Sequence, residues 1–424
     1  MSILFEPMVI KGMELKNRFV RSATYDGYAD QRGRVTADQI QFFEDLARGG
    51  AGLIVTGICH VHDSGQTSPI QNSVASDHCI PGLKKLSSAV HNLGAKIAIQ
   101  LFHAGREGAR FLKTRNMVAI GPSFVPDDPY FDRPYRSMTG EEISELVSAF
   151  GDAARRVREA GFDAVQVHGA HAYLLSQFLS PYLNRRNDQW GGNLENRLRL
   201  HREILRDIRA KAGVDFPLLM KLGVQDGFPG GLAFHEGALA ARFLAEWGVD
   251  AIEISSGLRG DRYEGTEFKT KINRPEREAY FREWCKAIKG EVAVPVMMVG
   301  GLRTFALMEE VVERGEADFV SLCRPFIREP FIVNKWREDT HFRPACISCN
   351  QCLDTIFKGN RVQCMQEAKG KNEPLKRCQM QSLNFPVTLE RSVFCRNIQE
   401  LYRFSKGLPT VTHTCRYKIG LIGV

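Results

Sequence analysis

Long apolar runs are missing from this 424-residue chain: its hydrophobic stretches are short and broken by charge, so none reads as a membrane span. The N-terminal MSILFEPMVIKG lacks the basic start and long apolar core of a secretory signal, and a cytoplasmic location is expected. A nucleic-acid reader motif is also absent. The net charge of +8 comes from Lys and Arg scattered among 49 acids, with much of the excess late in the chain. That pattern reads as solvated surface, with no nucleic-acid partner expected. After Lys369 there is no complete G-x-G-x-x-G, the phosphate-cradling turn of a dinucleotide fold. Cysteine is sparse through most of the chain, where Cys59, Cys79, Cys285 and Cys323 stand isolated. The other cysteines follow residue 345, four of them closely spaced; without a secretion signal, metal or cluster binding is favoured over disulfides.

What is there is a large core and a regular alternation. A hydrophobic content of 43% supports one big domain or two. Short β-branched runs predict strands at Arg18–Ser22, Gly52–Thr56, Lys96–Gln100, Asp163–Val167, Pro217–Lys221, Ala251–Ile254, Pro295–Val299 and Asp318–Leu322. Amphipathic helices are predicted between them, among them Thr36–Arg48, Pro81–Leu93, Glu141–Ala160, Asn196–Ala212, Phe234–Trp247 and Thr304–Arg314, most closed by glycine. Eight such units fit an α/β fold, a (β/α)₈ TIM barrel over residues 1–340, better than the competing open doubly wound sheet. A small four-cysteine module at 341–370 and an irregular, poorly ordered tail at 371–424 follow. The closing YKIGLIGV reads either as a first strand of a nucleotide-binding unit or as a plain apolar end.

In a barrel the residues just past each strand share one face, and that face carries the chemistry. Gln100, His103, Arg106, His168, His171, Tyr173, Lys221, Gly300, Gly301 and Arg324 occupy such positions. Two imidazoles and a phenol after the fourth strand can hold a carbonyl oxygen and deliver a proton; a metal site or a helix cap is the alternative. Cys346, Cys349, Cys352 and Cys364 read C-x2-C-x2-C-x11-C, which can wrap one [4Fe–4S] cube. Zinc and unmetallated thiols are the alternatives.

Asn17–Thr24 (NRFVRSAT), Gln100–Arg106 (QLFHAGR), His168–Pro181 (HGAHAYLLSQFLSP), Asn184–Gly192 (NRRNDQWGG) and Asp318–Pro330 (DFVSLCRPFIREP) together resemble the old yellow enzyme family. The resemblance covers roughly residues 3–340 and implies an FMN-containing barrel that reduces activated C=C bonds with hydride from NAD(P)H. It implies that Gln100 meets the flavin pyrimidine edge, with Ser22, Ala23, Thr24 and Gly57 around the ring. Lys221 is implied beside the N1–C2 edge, where many relatives carry Arg; charge is kept but the planar fork is lost. At the phosphate end the implied group is Gly300, Gly301, Arg303, Cys323 and Arg324. His168 and His171 match the paired carbonyl-oxygen donors and Tyr173 the proton donor. Tyr25 stands near a position that is small in other members.

The cysteine spacing resembles the iron–sulfur branch of that family, which includes 2,4-dienoyl-CoA reductase and trimethylamine dehydrogenase. The implied function is an ene-reductase acting on an α,β-unsaturated carbonyl or thioester. The alternatives are an FMN/iron–sulfur dehydrogenase, oxidising an amine or similar donor and passing electrons to a partner protein, and a non-catalytic electron-transfer or zinc-stabilised binding protein. Relatives are commonly oligomers, so a homo-oligomer is also implied.

Overall fold

Alternation of short apolar runs with amphipathic helices closes into a barrel. The structure, a computed structural model, describes residues 2–126, 128–260 and 266–370. The expected tail at 371–424, with its YKIGLIGV end, lies outside them. Eight parallel strands form a closed barrel: β1 (Phe19–Arg21), β2 (Leu53–His60), β3 (Lys96–Phe102), β4 (Ala164–Gly169), β5 (Leu218–Gly223), β6 (Ala251–Ser255), β7 (Val296–Met298) and β8 (Phe319–Leu322). They neighbour one another in chain order, and β8 closes on β1. Each coincides with a predicted strand; β2 alone runs well beyond its predicted end, through a register shift between Val55 and Ile58.

Seven longer helices cover the outside: α1 (Ala37–Arg48), α2 (Ile80–His91), α3 (Gly140–Glu159), α4 (Arg199–Ala212), α5 (Phe234–Glu246), α6 (Arg282–Lys289) and α7 (Phe305–Glu313). Local chemistry fixes their starts. Thr36 Oγ1 accepts from the Gln39 amide, and Thr139 with Glu142 forms a reciprocal capping box. Gly161 ends α3 at φ 76°, a left-handed turn that a side chain would strain. Among the described residues no helix is long and apolar enough to cross a membrane.

Period-two alternation divides the barrel interior into two layers. In the lower one Val20, Leu53, Ala98, Ala164, Leu219, Ala251, Met297 and Phe319 form an apolar cluster. An antiparallel hairpin that the sequence reading did not predict, Met8–Ile10 with Met13–Leu15, joins that cluster through Ile10, Met13 and Leu15. Two residues further along the strands, the buried side chains are Ser22, Gln100, Gln166, Lys221, Glu253 and Ser321. The cysteine segment falls in the same compact unit as the barrel. Its Ile356 and Val362 pack against Tyr25, Ile58, Phe102 and Tyr173.

Candidate active site

The upper layer is one hydrogen-bonded network. Adjacent parallel strands pair Gln100 with Gln166 and Lys221 with Glu253. Gln100 Nε2 donates to Gln166 Oε1 at 2.7 Å, and Gln166 Nε2 donates to Glu253 Oε2 at 2.9 Å. Ser22 Oγ donates to Glu253 Oε1 at 2.6 Å and accepts from Lys221 Nζ at 2.8 Å. Lys221 Nζ also lies 3.2 Å from Glu253 Oε2. Glu253 is wholly buried, and such a carboxylate persists only with a cation and donors around it. Sequence reading found Gln100, Lys221 and Ser22 but missed Gln166 and Glu253. Their signal was present: a polar residue at the inward position of AVQVH and of AIEIS.

At the end of β4 the backbone turns through His171 and Ala172 at φ 60° and 64°, and this left-handed pair folds the chain back on itself. The turn brings three predicted residues together. The His168 and His171 rings lie 4.9 Å apart at 87°, and His168 and Tyr173 lie 5.1 Å apart. His171 Nε2 bonds Ser255 Oγ at 2.7 Å, and its Nδ1 is 3.9 Å from Glu267 Oε1. His168 Nδ1 is buried with no partner among the described residues. Burial first, then His171, Lys221 and Arg259, hold His168 well below the usual imidazole pKa, so the ring is neutral at pH 7 and donates from one nitrogen. Burial pushes the Tyr173 hydroxyl above the ordinary phenol value, and Arg259 works against that shift. Arg259 lies 5.5 Å from the centre of the Tyr173 ring and bonds Glu267 at 2.7 Å. This buried ion pair was not assigned a role from sequence, because loop arginines usually face solvent.

A cavity opens over this layer. Of the predicted cofactor residues, Ala23, Thr24, Lys221, Gly301, Arg303, Cys323 and Arg324 line it, and His171 and Tyr25 join them. Ser22 and Gln100 sit in the hydrogen-bonded layer described above. Gly57 packs where an added Cβ would meet Thr24 O at 2.8 Å, and Gly300 takes φ 131° beside Tyr280. His168 and Tyr173 are buried next to His171, with the Tyr173 ring edge-on to Phe102 at 4.4 Å.

Arg303 and Arg324 hold more than the sequence reading gave them. Arg303 donates to Cys346 O at 2.6 Å and to Ser348 Oγ. Arg324 Nη1 donates to Lys269 O at 2.8 Å and to Asn350 Oδ1 at 2.5 Å. Its Nε and Nη2 have no partner among the described residues, and the side chain borders the cavity. A buried cation, a left-handed Gly300–Gly301 turn and an open guanidinium edge around one cavity fit the isoalloxazine and phosphate of FMN.

Cys346, Cys349, Cys352 and Cys364 line a second, smaller cavity. Among the described residues, no group of three or more His, Cys, Asp or Glu is placed to hold a metal ion. Arg328 Nη1 lies 3.4 Å from Cys364 Sγ, a cation beside a thiol. Arg324, Ile327 and Cys352 line both cavities, so one thin wall separates the barrel mouth from the cysteines.

The chain is 34% identical over 376 residues to the metal reductase of Desulforamulus reducens, covering 88% of this chain and 54% of that protein. It is 34% identical over 367 residues to the NADH oxidase of Thermoanaerobacter brockii, covering 85% and 55%. The chain thus spans about half the length of these relatives. Among solved structures it is similar to 2-naphthoyl-CoA reductase in complex with 2-naphthoyl-CoA, at a TM-score of 0.78 and 29% identity over 86% of this chain and 56% of that one. It is also similar to histamine dehydrogenase from Rhizobium sp. 4-9, at 0.74 and 28% over 86% and 52%. Residues 3–341 match the model of one family, and the chain belongs to it: the NADH:flavin oxidoreductase / NADH oxidase family, FMN-dependent oxidoreductases of the old yellow enzyme type.

Proposed function

We propose that this chain reduces the C=C bond of an α,β-unsaturated carbonyl or thioester, with NAD(P)H as electron donor. The observation that carries the reading is the convergence of His168, His171 and Tyr173 beside a cavity floored by Lys221. Bound FMN supplies the hydride chemistry. His168 and His171 donate hydrogen bonds to the substrate oxygen and draw charge onto it. Ser255 Oγ, bonded to Nε2, orients His171 so that Nδ1 is the nitrogen that donates. Tyr173, protonated at neutral pH, gives the α-carbon its proton. Lys221, its ammonium fixed by Glu253 and Ser22, would hold the negative charge of the reduced flavin. The four cysteines around one cavity support a [4Fe–4S] cluster, with zinc as the alternative. The described cysteines form no disulfide, and a reducing cytoplasm would keep them available to a metal.

Tyr173→Phe tests the role of the phenol. With 2-cyclohexen-1-one as probe, the rate should fall by roughly 10²–10⁴-fold while FMN content is unchanged. A variant at full rate would sink the assignment. A second reading, an amine-type dehydrogenase that passes electrons through the cysteine segment to a protein partner, is favoured by the shared wall at Cys352. Histamine dehydrogenase is a neighbour of that kind. Amine oxidation without any enone reduction would select it. An anaerobic visible spectrum separates the metal readings: flavin bands on a broad absorbance bleached by dithionite mean a cluster, flavin bands alone mean zinc or free thiols.

A further inference from the structure

We infer that Asn350, in the cysteine segment, is a positioning residue for the FMN phosphate and acts through Arg324. The inference rests on the FMN reading above. Arg324 Nη1 spends both its hydrogens inside the protein, on Lys269 O and on Asn350 Oδ1. That fixes the plane of the guanidinium beside the barrel mouth, and its Nε and Nη2 have no partner among the described residues. A planar fork held in one orientation binds phosphate with less ordering cost than a free one. Asn350 is itself locked. It is buried, its Nδ2 donates to Phe268 O at 2.8 Å, and its backbone takes φ 59°, a left-handed conformation asparagine tolerates.

Its place in the sequence gives the contact a consequence. Asn350 lies inside the tight spacing of Cys346, Cys349 and Cys352, and Arg303 grips the same loop at Cys346 O and Ser348 Oγ. The loop that carries three of the cysteines is therefore the loop that orients Arg324. Asn350 acts at the phosphate and not at the ring, since among the described residues it shares no hydrogen bond with Lys221 or the buried layer below.

Flavin titration of the full chain, freed of flavin, tests this with FMN and riboflavin as paired probes. Riboflavin carries the same ring without phosphate. Asn350→Gly keeps the left-handed backbone and removes only the amide. FMN should bind roughly tenfold more weakly to it, the loss of one charge-assisted bond, with riboflavin affinity unchanged. Equal weakening of both flavins, or of neither, overturns the inference. If Asn350→Gly does not fold, Asn350→Ser, which also withdraws the amide from Arg324, is titrated in its place: an unchanged preference for FMN over riboflavin overturns the proposal. A wild-type chain that binds neither flavin sinks the FMN reading itself, whereas one that prefers FMN in every variant sinks only Asn350.

Discussion

The two layers of the barrel interior obey the same alternation and do opposite work. Below, Val20, Leu53, Leu219 and Phe319 pack side chain on side chain and ask nothing of one another but shape. Above, Ser22, Gln166, Lys221 and Glu253 are as thoroughly buried, and each depends on a specific partner. An apolar layer is stabilised by every contact it makes. A charged layer recovers only what desolvation cost, and fails as a unit when one member leaves. On the proposed FMN reading, the chain tolerates the second layer because a ligand is held there. The difference teaches where stability and chemistry part company along one strand: a single residue, Met220, separates Leu219 from Lys221 on β5.

Lys221→Met breaks the upper layer most severely. It leaves Glu253 buried without its cation, and stability to denaturant should drop by about 4 kcal/mol. FMN affinity should fall with it, read by flavin fluorescence on the protein that remains folded. Leu219→Ala, one step down the same strand, should cost about 3 kcal/mol through the cavity it leaves. There FMN affinity should stay within about twofold of wild type, because one ΔΔG in the apolar layer does not reach the mouth. If Leu219→Ala weakened FMN as much as Lys221→Met, the separation of the layers would be an illusion of the geometry.

Sequence pattern carried most of the barrel, because inward alternation and helix-closing glycines are local signals. Thr36 and Thr139 stand just before their helices and each caps the amide three residues on, and the eight strands show as β-branched runs. The imidazole–phenol group was legible because a strand end followed at once by His168, His171 and Tyr173 has few uses. Long-range pairings were harder to read. Glu253 looks like one more charge in AIEIS until β5 places Lys221 opposite it. Arg303 and Arg324 looked like phosphate ligands alone, and only the fold shows Cys346, Ser348 and Asn350 arriving beside them. The N-terminal hairpin gave no periodic signal, since three-residue strands are too short to show one.

The smallest effect concerns a histidine that belongs to neither layer. His201, on α4, is fully buried, and neither of its ring nitrogens has a partner among the described residues. Burial alone holds its pKa down at about 3. The unfolded chain takes up this proton near pH 6.5, the folded chain only near 3. Between those values the unfolded state binds more protons, so stability is full above pH 6.5 and is lost as pH falls through the window. At pH 5 the loss from this one group is about 2 kcal/mol. His201→Leu removes the titrating ring while keeping an apolar side chain in the site. Denaturation followed from pH 7.5 to 4.5 should show a shallower decline for the variant, with the two curves meeting above pH 7. His103 and His60, held down by burial to about 3 and about 4, keep part of the slope in both proteins. Parallel curves across the whole range would mean that His201 is already solvated in the folded protein.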